Sequence, residues 1–199
     1  MFIAICGIDG SGKTTQVNFL KEYYQNKGRN ITCIKQHTQT YKNDQRMYDY
    51  LHGNLTKSEL LVSEMALLSA FDRMRQYQLE ILPRIKNNEI VIVDRYVYSA
   101  YAYYIMRGLE LNWILDLNKK LPLPDCTICI DVPAEIAYER IKKRQDITLE
   151  ESNQKYMEKI RKIYRDQPWG KSSNYYIVNG DDNIHNISNK ISNITNMYL

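Results

Sequence analysis

Residues Gly7-Ile8-Asp9-Gly10-Ser11-Gly12-Lys13-Thr14 decide how this chain is read. They match the pattern GxxxxGK[ST]. An apolar run, Phe2 to Cys6, stands before them and an amphipathic stretch, Thr14 to Asn26, follows. Strand, glycine loop and helix is the setting in which this pattern cradles phosphates. Gly7, Gly10 and Gly12 let the backbone wrap closely around oxygens. The exposed N–H groups of the loop, Ser11 included, and the start of the helix attract the anion. The pattern assigns Lys13 to the β- and γ-phosphates of ATP and the Thr14 hydroxyl to Mg²⁺. By itself it leaves GTPases, motor ATPases and small-molecule or nucleotide kinases open.

Working outward, four more apolar runs read as strands: Ile31 to Lys35, Ile90 to Asp94, Thr127 to Asp131 and Tyr175 to Val178. Three of the five runs (the first, third and fourth) are almost wholly apolar, as strands covered on both faces require. Helical patterns separate them: Ser58 to Ile85 with a break expected at Pro83, Tyr98 to Arg107, Leu111 to Lys120, Ala134 to Arg144, Glu150 to Arg165 and Ile184 to Met197. Such alternation predicts an α/β fold with a parallel sheet, and the fold expected is a five-stranded parallel sheet flanked by helices, with order 2-3-1-4-5. Gln36 to Thr56 is polar and reads as an irregular loop. Residues 139–151 are charged and read as a short lid within one domain, 1–199.

Bulk properties exclude several classes. The 199 residues are 44% hydrophobic and 25% charged, with a net charge of +4. The basic residues are spread along the chain, which argues against nucleic acid as a partner and for a small phosphate-bearing ligand. No run reaches the length of a membrane span, and the first residues lack a charged leader, so a cytoplasmic protein is expected. Cys126 and Cys129 have CxxC spacing, but residues three apart on a strand face opposite ways. They are expected to be ordinary buried thiols.

The third strand ends Asp94-Arg95-Tyr96. A carboxylate at the carboxyl end of a strand beside the phosphate loop is placed for Mg²⁺ or its waters, and Arg95 can grip an anion in bidentate fashion. The fourth strand ends Ile130-Asp131-Val132-Pro133, without the Asn/Thr-Lys-x-Asp sequence by which GTPases read guanine.

At this point the chain resembles the thymidylate kinase family. The resemblance rests on the loop Gly7 to Thr15, on Asp94-Arg95-Tyr96 with Ser99 and Ala102-Tyr103, on Leu117-Asn118 with Leu123-Pro124-Asp125, and on Asp131-Val132-Pro133 with Arg140 downstream. It implies transfer of phosphate from MgATP to thymidine monophosphate by a homodimer. In that reading Asp9, Thr15 and Arg140 join the ATP-binding loop. Arg95 holds the acceptor phosphate and Arg73 lies near the base. Asp9 meets the sugar's 3′-hydroxyl or the metal region, and Ser99 lines the pocket. Tyr103 fills the space of a ribose 2′-hydroxyl. Thr14 and Asp94 serve the metal. The backbone of Asn179-Gly180-Asp181 approaches adenine.

Departures from the family pattern cluster on base recognition. Gln36-His37-Thr38 stands where Glu-Pro-Gly is usual. Ser69 stands four residues before Arg73, where an aromatic is usual, the nearest phenylalanine being Phe71. Ala100 replaces a polar residue. A kinase for another deoxynucleotide or deoxynucleoside, or a nucleotide-binding protein without transfer activity, are the competing readings. Position 10 is Gly where some members carry Arg, so Lys13 and Arg95 are expected to share catalysis with a lid cation. Arg144 is the first choice, then Lys143; Arg140, Lys143 and Arg144 share a face at helical spacing.

Overall fold

The computed structural model describes every residue except Lys143 and Asp146. β1 (Phe2–Cys6) leads through the glycine loop into α1 (Lys13–Asn26), then β2 (Ile31–Lys35). Two short helices follow, α2 (Gln39–Lys42) and α3 (Gln45–Leu51). A long helical arm comes next: α4 (Glu59–Gln76), a π-helical turn (Tyr77–Ile81) and α5 (Leu82–Lys86). After β3 (Ile90–Asp94) come α6 (Val97–Met106), α7 (Leu111–Asn118), β4 (Cys126–Asp131), α8 (Ala134–Ile141), α9 (Gln154–Asp166), β5 (Tyr175–Asn179) and α10 (Ile184–Asn196).

The strands form one parallel sheet in the order β2-β3-β1-β4-β5, as predicted. Every residue of β1 and β3 is buried, and β4 is buried up to Asp131. Each fully buried Ile or Val contributes about 1.5–3 kcal/mol, so the central strands form a stiff platform. Register aligns their carboxyl ends: Ile5 lies opposite Asp94, Lys35 opposite Asp94, and Cys6 opposite Cys129. The loops after β1, β2 and β3 therefore emerge together, at the edge where ligands bind in sheets of this kind.

Four boundaries differ from the sequence reading. The arm does not stop at Pro83. That residue falls in the first turn of α5, where a missing N–H costs no helical bond, and the chain stays helical to Lys86. Ser58 does cap the arm, accepting from Leu61 N at 3.1 Å. The polar stretch after β2 is not irregular; Asp44 caps α3 by accepting from Met47 N at 2.9 Å. α9 starts at Gln154 rather than Glu150, because Asn153 supplies its cap and Thr148 bonds Glu151 locally through both its N–H and its hydroxyl. Finally, α8 ends at Ile141, so Arg144 does not share a helix face with Arg140. Lys143 lies outside the described residues. Cys126 and Cys129 are free and buried, as expected.

Candidate active site

The glycine loop is fitted to its neighbours. Gly7 has φ +137°, and a Cβ there would sit 2.6 Å from the Ile130 carbonyl oxygen. At Gly10 a Cβ would come within 2.2 Å of the Ala137 carbonyl oxygen, on α8. No side chain fits at position 10 unless α8 moves, so this packing requires the glycine. Gly10 instead receives a hydrogen bond at its carbonyl from Arg140 Nη1, 3.3 Å away.

Lys13 Nζ donates to the Gly7 and Ile8 carbonyls at 3.2 and 2.8 Å. Burial, with the Arg95 charge nearby, brings its pKa down to about 8. Thr14 Oγ1 donates to Asp94 Oδ2 at 3.3 Å, so the two candidate metal ligands do meet. Asp94 Oδ1 and Ser11 Oγ are buried without partners. Thr15 is exposed one residue along the same helix.

Arg95 follows β3 in a left-handed backbone conformation, φ +70°. Such a conformation costs on the order of 1–3 kcal/mol in a non-glycine residue. It persists here because both ends of the residue are held. The backbone N–H donates to Ile5 O at 2.8 Å. The guanidinium donates through Nη1 to Gly7 O at 3.3 Å and through Nη2 to Asp9 Oδ1. The turn thus directs the guanidinium back over the phosphate loop. The other oxygen of Asp9 accepts from the Tyr103 hydroxyl at 2.8 Å. Burial opposes ionisation of Asp9, but the Arg95 and Lys13 charges outweigh it and hold the carboxyl well below the usual range.

Beside this cluster lies a cavity of about 330 Å³, bordered by Asp9, Arg73, Arg95, Ser99 and Tyr103. The structure therefore brings the whole expected acceptor set to one place. Arg73 is fully buried. It donates to Gln36 Oε1 at 3.1 Å, Asn118 Oδ1 at 2.7 Å and Ser69 Oγ at 2.9 Å. Ser69 is thus occupied in positioning Arg73. Ser99 Oγ accepts from the Tyr164 hydroxyl at 2.9 Å. Phe71 points away to solvent. A larger open depression, about 660 Å³, lies at the opposite end of the sheet around Met1, Arg29 and Tyr198. None of the candidate catalytic, ATP-binding, acceptor-binding or metal residues borders it.

Two further groups border the cavity: His37, which follows β2 where acceptor contacts are expected, and Arg107, which escaped the sequence reading. His37 stacks on Tyr41 with ring centroids 3.8 Å apart, and its Nδ1 lies 3.4 Å from Asp72 Oδ2. Burial lowers its pKa to about 4, with the Arg73 and Arg95 charges adding to the effect and Asp72 opposing it. Arg107 makes a bidentate pair with Glu150, both bonds 2.8 Å, and lies over the Tyr104 ring at 5.0 Å. Tyr156 also donates to Glu150, at 2.9 Å. Arg107 sits where α6 runs out towards Gly108, which on sequence reads simply as a helix end; Glu150 reads as a helix start. Arg144 pairs with Glu151 at 3.6 Å.

A phosphate loop set on a parallel sheet of this order, with a cavity bordered by Arg73, Arg95 and Arg107 across its mouth, places the chain among the P-loop nucleotide kinases. Comparison with known proteins narrows this. A model of the thymidylate kinase family matches residues 5–191. A protein of Pyrococcus horikoshii named "Probable thymidylate kinase" is 36% identical over 164 residues, 82% of this chain and 80% of its own length. The "Thymidylate kinase" of Thermosipho africanus is 32% identical over 203 residues, 100% of this chain and 99% of its own. "Probable thymidylate kinase 2" of Saccharolobus solfataricus is 30% identical over 213 residues, 100% of this chain and 97% of its own. The chain belongs to the thymidylate kinase family. It is a nucleoside monophosphate kinase with ATP as phosphate donor.

Proposed function

We propose that the protein transfers the γ-phosphate of ATP to thymidine monophosphate, giving thymidine diphosphate and ADP. The observation that carries this reading is the bridge made by Asp9. Its carboxylate joins the phosphate loop to Arg95 and Tyr103 on the cavity wall, so donor and acceptor sites are built as one unit.

In this reading an oxygen of the acceptor phosphate attacks the γ-phosphorus while the bond to the β,γ-bridging oxygen breaks, leaving ADP. The attacking oxygen is already anionic at neutral pH, so no general base is required. The protein's work is positioning and charge neutralisation. The glycine loop, from Gly7 to Thr15, holds the ATP phosphates, and Lys13 exchanges its carbonyl partners for phosphate oxygens. Arg95, aimed by its backbone turn and by Asp9, holds the acceptor phosphate. Arg73 and Ser99 line the acceptor pocket, and the Tyr103 ring takes the volume a ribose 2′-hydroxyl would need.

Thr14 and Asp94 would hold Mg²⁺. A hydroxyl beside a carboxylate with one oxygen unpartnered suits a hard cation that keeps several waters and shares phosphate oxygens. The metal would supply positive charge to the transferring group. Residues 139–151 act as the lid: Arg140 rests on the loop carbonyl of Gly10, and Glu150 latches to Arg107. Arg144, freed from Glu151, is the lid cation for the transferring phosphate. Lid closure excludes water and so limits ATP hydrolysis.

The outer face of the arm exposes Leu60, Leu67, Phe71 and Leu79, and the 60–67–71 spacing keeps the first three on one stripe. That stripe supports a homodimer. Among the described residues no helix is long and apolar enough to cross a membrane; a cytoplasmic site of action belongs to the same proposal. The test of transfer uses ATP labelled at the γ-phosphate. Label should appear in thymidine diphosphate; label appearing only as inorganic phosphate would refute transfer.

A further inference from the structure

His37 stands two residues beyond β2, in the segment where this chain departs from its family, and it borders the cavity. Three neighbours fix its ring. Tyr41 covers one face, with centroids 3.8 Å apart and planes 22° from parallel. The Nδ1 edge faces Asp72 Oδ2 at 3.4 Å, and Asp72 is itself held by the Thr38 N–H at 3.0 Å and by the Thr38 hydroxyl. Nε2 lies 3.5 Å from Ser69 Oγ. Ser69 already accepts from Arg73, so its own proton is the one that meets Nε2, and the Nδ1 proton is turned to the Asp72 carboxylate.

With one face covered and both nitrogens engaged, the His37 side chain is still 24% exposed. What remains open is the face turned away from Tyr41. The other rings on the cavity wall offer less. Tyr41, Tyr96 and Tyr104 are each at most 6% exposed. Tyr103 is tied through its hydroxyl to Asp9, at the phosphate-loop end. Ser69, on α4, carries no ring, is fully buried and does not border the cavity. His37 thus presents an accessible aromatic face next to Ser69 and Arg73. Burial keeps the imidazole uncharged at neutral pH.

We propose that the acceptor base stacks on His37, which supplies from the loop after β2 the aromatic surface that Ser69 leaves out of α4. This rests on the reading that the cavity holds a nucleoside monophosphate. The backing matters as much as the ring. Tyr41 and Asp72 keep the imidazole from turning, so little rotamer freedom is lost when a planar base settles on it.

The test compares wild type with His37→Ala and His37→Phe, using dTMP and the baseless acceptor 2-deoxyribose 5-phosphate. Dissociation constants are measured for both ligands, with a thermal melt to verify folding. In His37→Ala the dissociation constant for dTMP should rise about 5–100-fold, the effect of removing one base–aromatic stack. In His37→Phe, which keeps a ring, it should stay within a few-fold of wild type. Binding of 2-deoxyribose 5-phosphate and KM for ATP should be unchanged in both, whereas a distorted cavity would weaken the two acceptors alike. A second arm needs no variant to fold. In the proton NMR spectrum of wild type, dTMP should shift the ring resonances of His37 while 2-deoxyribose 5-phosphate does not, with His52 and His185 as internal controls. Unchanged dTMP affinity in folded His37→Ala, an equal loss for both acceptors, or His37 resonances that ignore dTMP would overturn the proposal. Binding of dTMP that depends on His37 but leads to no turnover would instead refute the transfer reading and leave the role of His37 standing.

Discussion

Asp9 of the phosphate loop accepts a hydrogen bond of 2.8 Å from Tyr103 of α6, and the two residues are 94 positions apart in the chain. The bond ties the element that grips ATP to the wall of the acceptor cavity. It also separates two contributions of one side chain, the hydroxyl that orients Asp9 and the ring that fills space.

Tyr103→Phe keeps the ring and removes the bond. A hydrogen bond to a charged group contributes about 1.5–3 kcal/mol, so kcat/KM for dTMP should fall at least about tenfold. Discrimination against the ribose counterpart should persist in Phe and be lost in Tyr103→Ala. Steady-state rates with the deoxy and ribo acceptors check both statements.

Lys13 is held near pKa 8 by burial and by Arg95, below its ordinary value of 10.5. Bound phosphate, being anionic, pulls that value up again. ATP binding above pH 8 should therefore take up a proton, approaching about one per site at pH 9, and almost none at pH 6.5. Calorimetry in buffers of different ionisation enthalpy measures this directly. Lys13→Met should remove the uptake.

Arg107 and Glu150 form a largely buried pair. Removing one partner leaves the other charge uncompensated, so Arg107→Ala should cost about 3–5 kcal/mol in urea unfolding. Replacing both with apolar residues of similar size should restore much of that. A double-mutant cycle would show strong coupling; simple additivity would contradict it.

His37 is depressed to about 4, chiefly by burial, against 6.5 when unfolded. A histidine kept neutral in the fold gives stability that is present above pH 6.5 and lost as pH falls from 6.5 through 4, because the unfolded chain binds the proton first. The loss should be on the order of 1–3 kcal/mol. His37→Phe should flatten urea midpoints measured between pH 7 and 4.5. Asp9, Asp72 and Glu150, all held below their ordinary range, add their own losses at lower pH.

Much of the scaffold is legible in the sequence, for a physical reason. Strands buried on both faces must be continuously apolar, and Ile90 to Asp94 or Phe2 to Cys6 read without ambiguity. The glycine loop reads equally well because close backbone approach admits few residues. Boundaries governed by one local contact do not. The start of α9 turns on whether Thr148 bonds Glu151 or lets the helix run back to Glu150. Pro83 looks like a stop until its place in a first turn is known. The site shows the same division. Lys13, Asp94 and Arg95 are marked by motif, whereas Gln36, His37 and Arg107 gain their meaning from partners 37 and 43 positions away or from a ring stack, which no local pattern encodes.

The most direct test of the central claim is the rate of ADP release from MgATP with and without acceptor, measured with dTMP, dUMP, dCMP, dGMP, UMP and thymidine beside a Lys13→Ala control. Release that depends on dTMP, is weak with UMP and thymidine, and disappears in the Lys13→Ala protein is the predicted result. Release that ignores dTMP, or that responds only to a different acceptor, would contradict it.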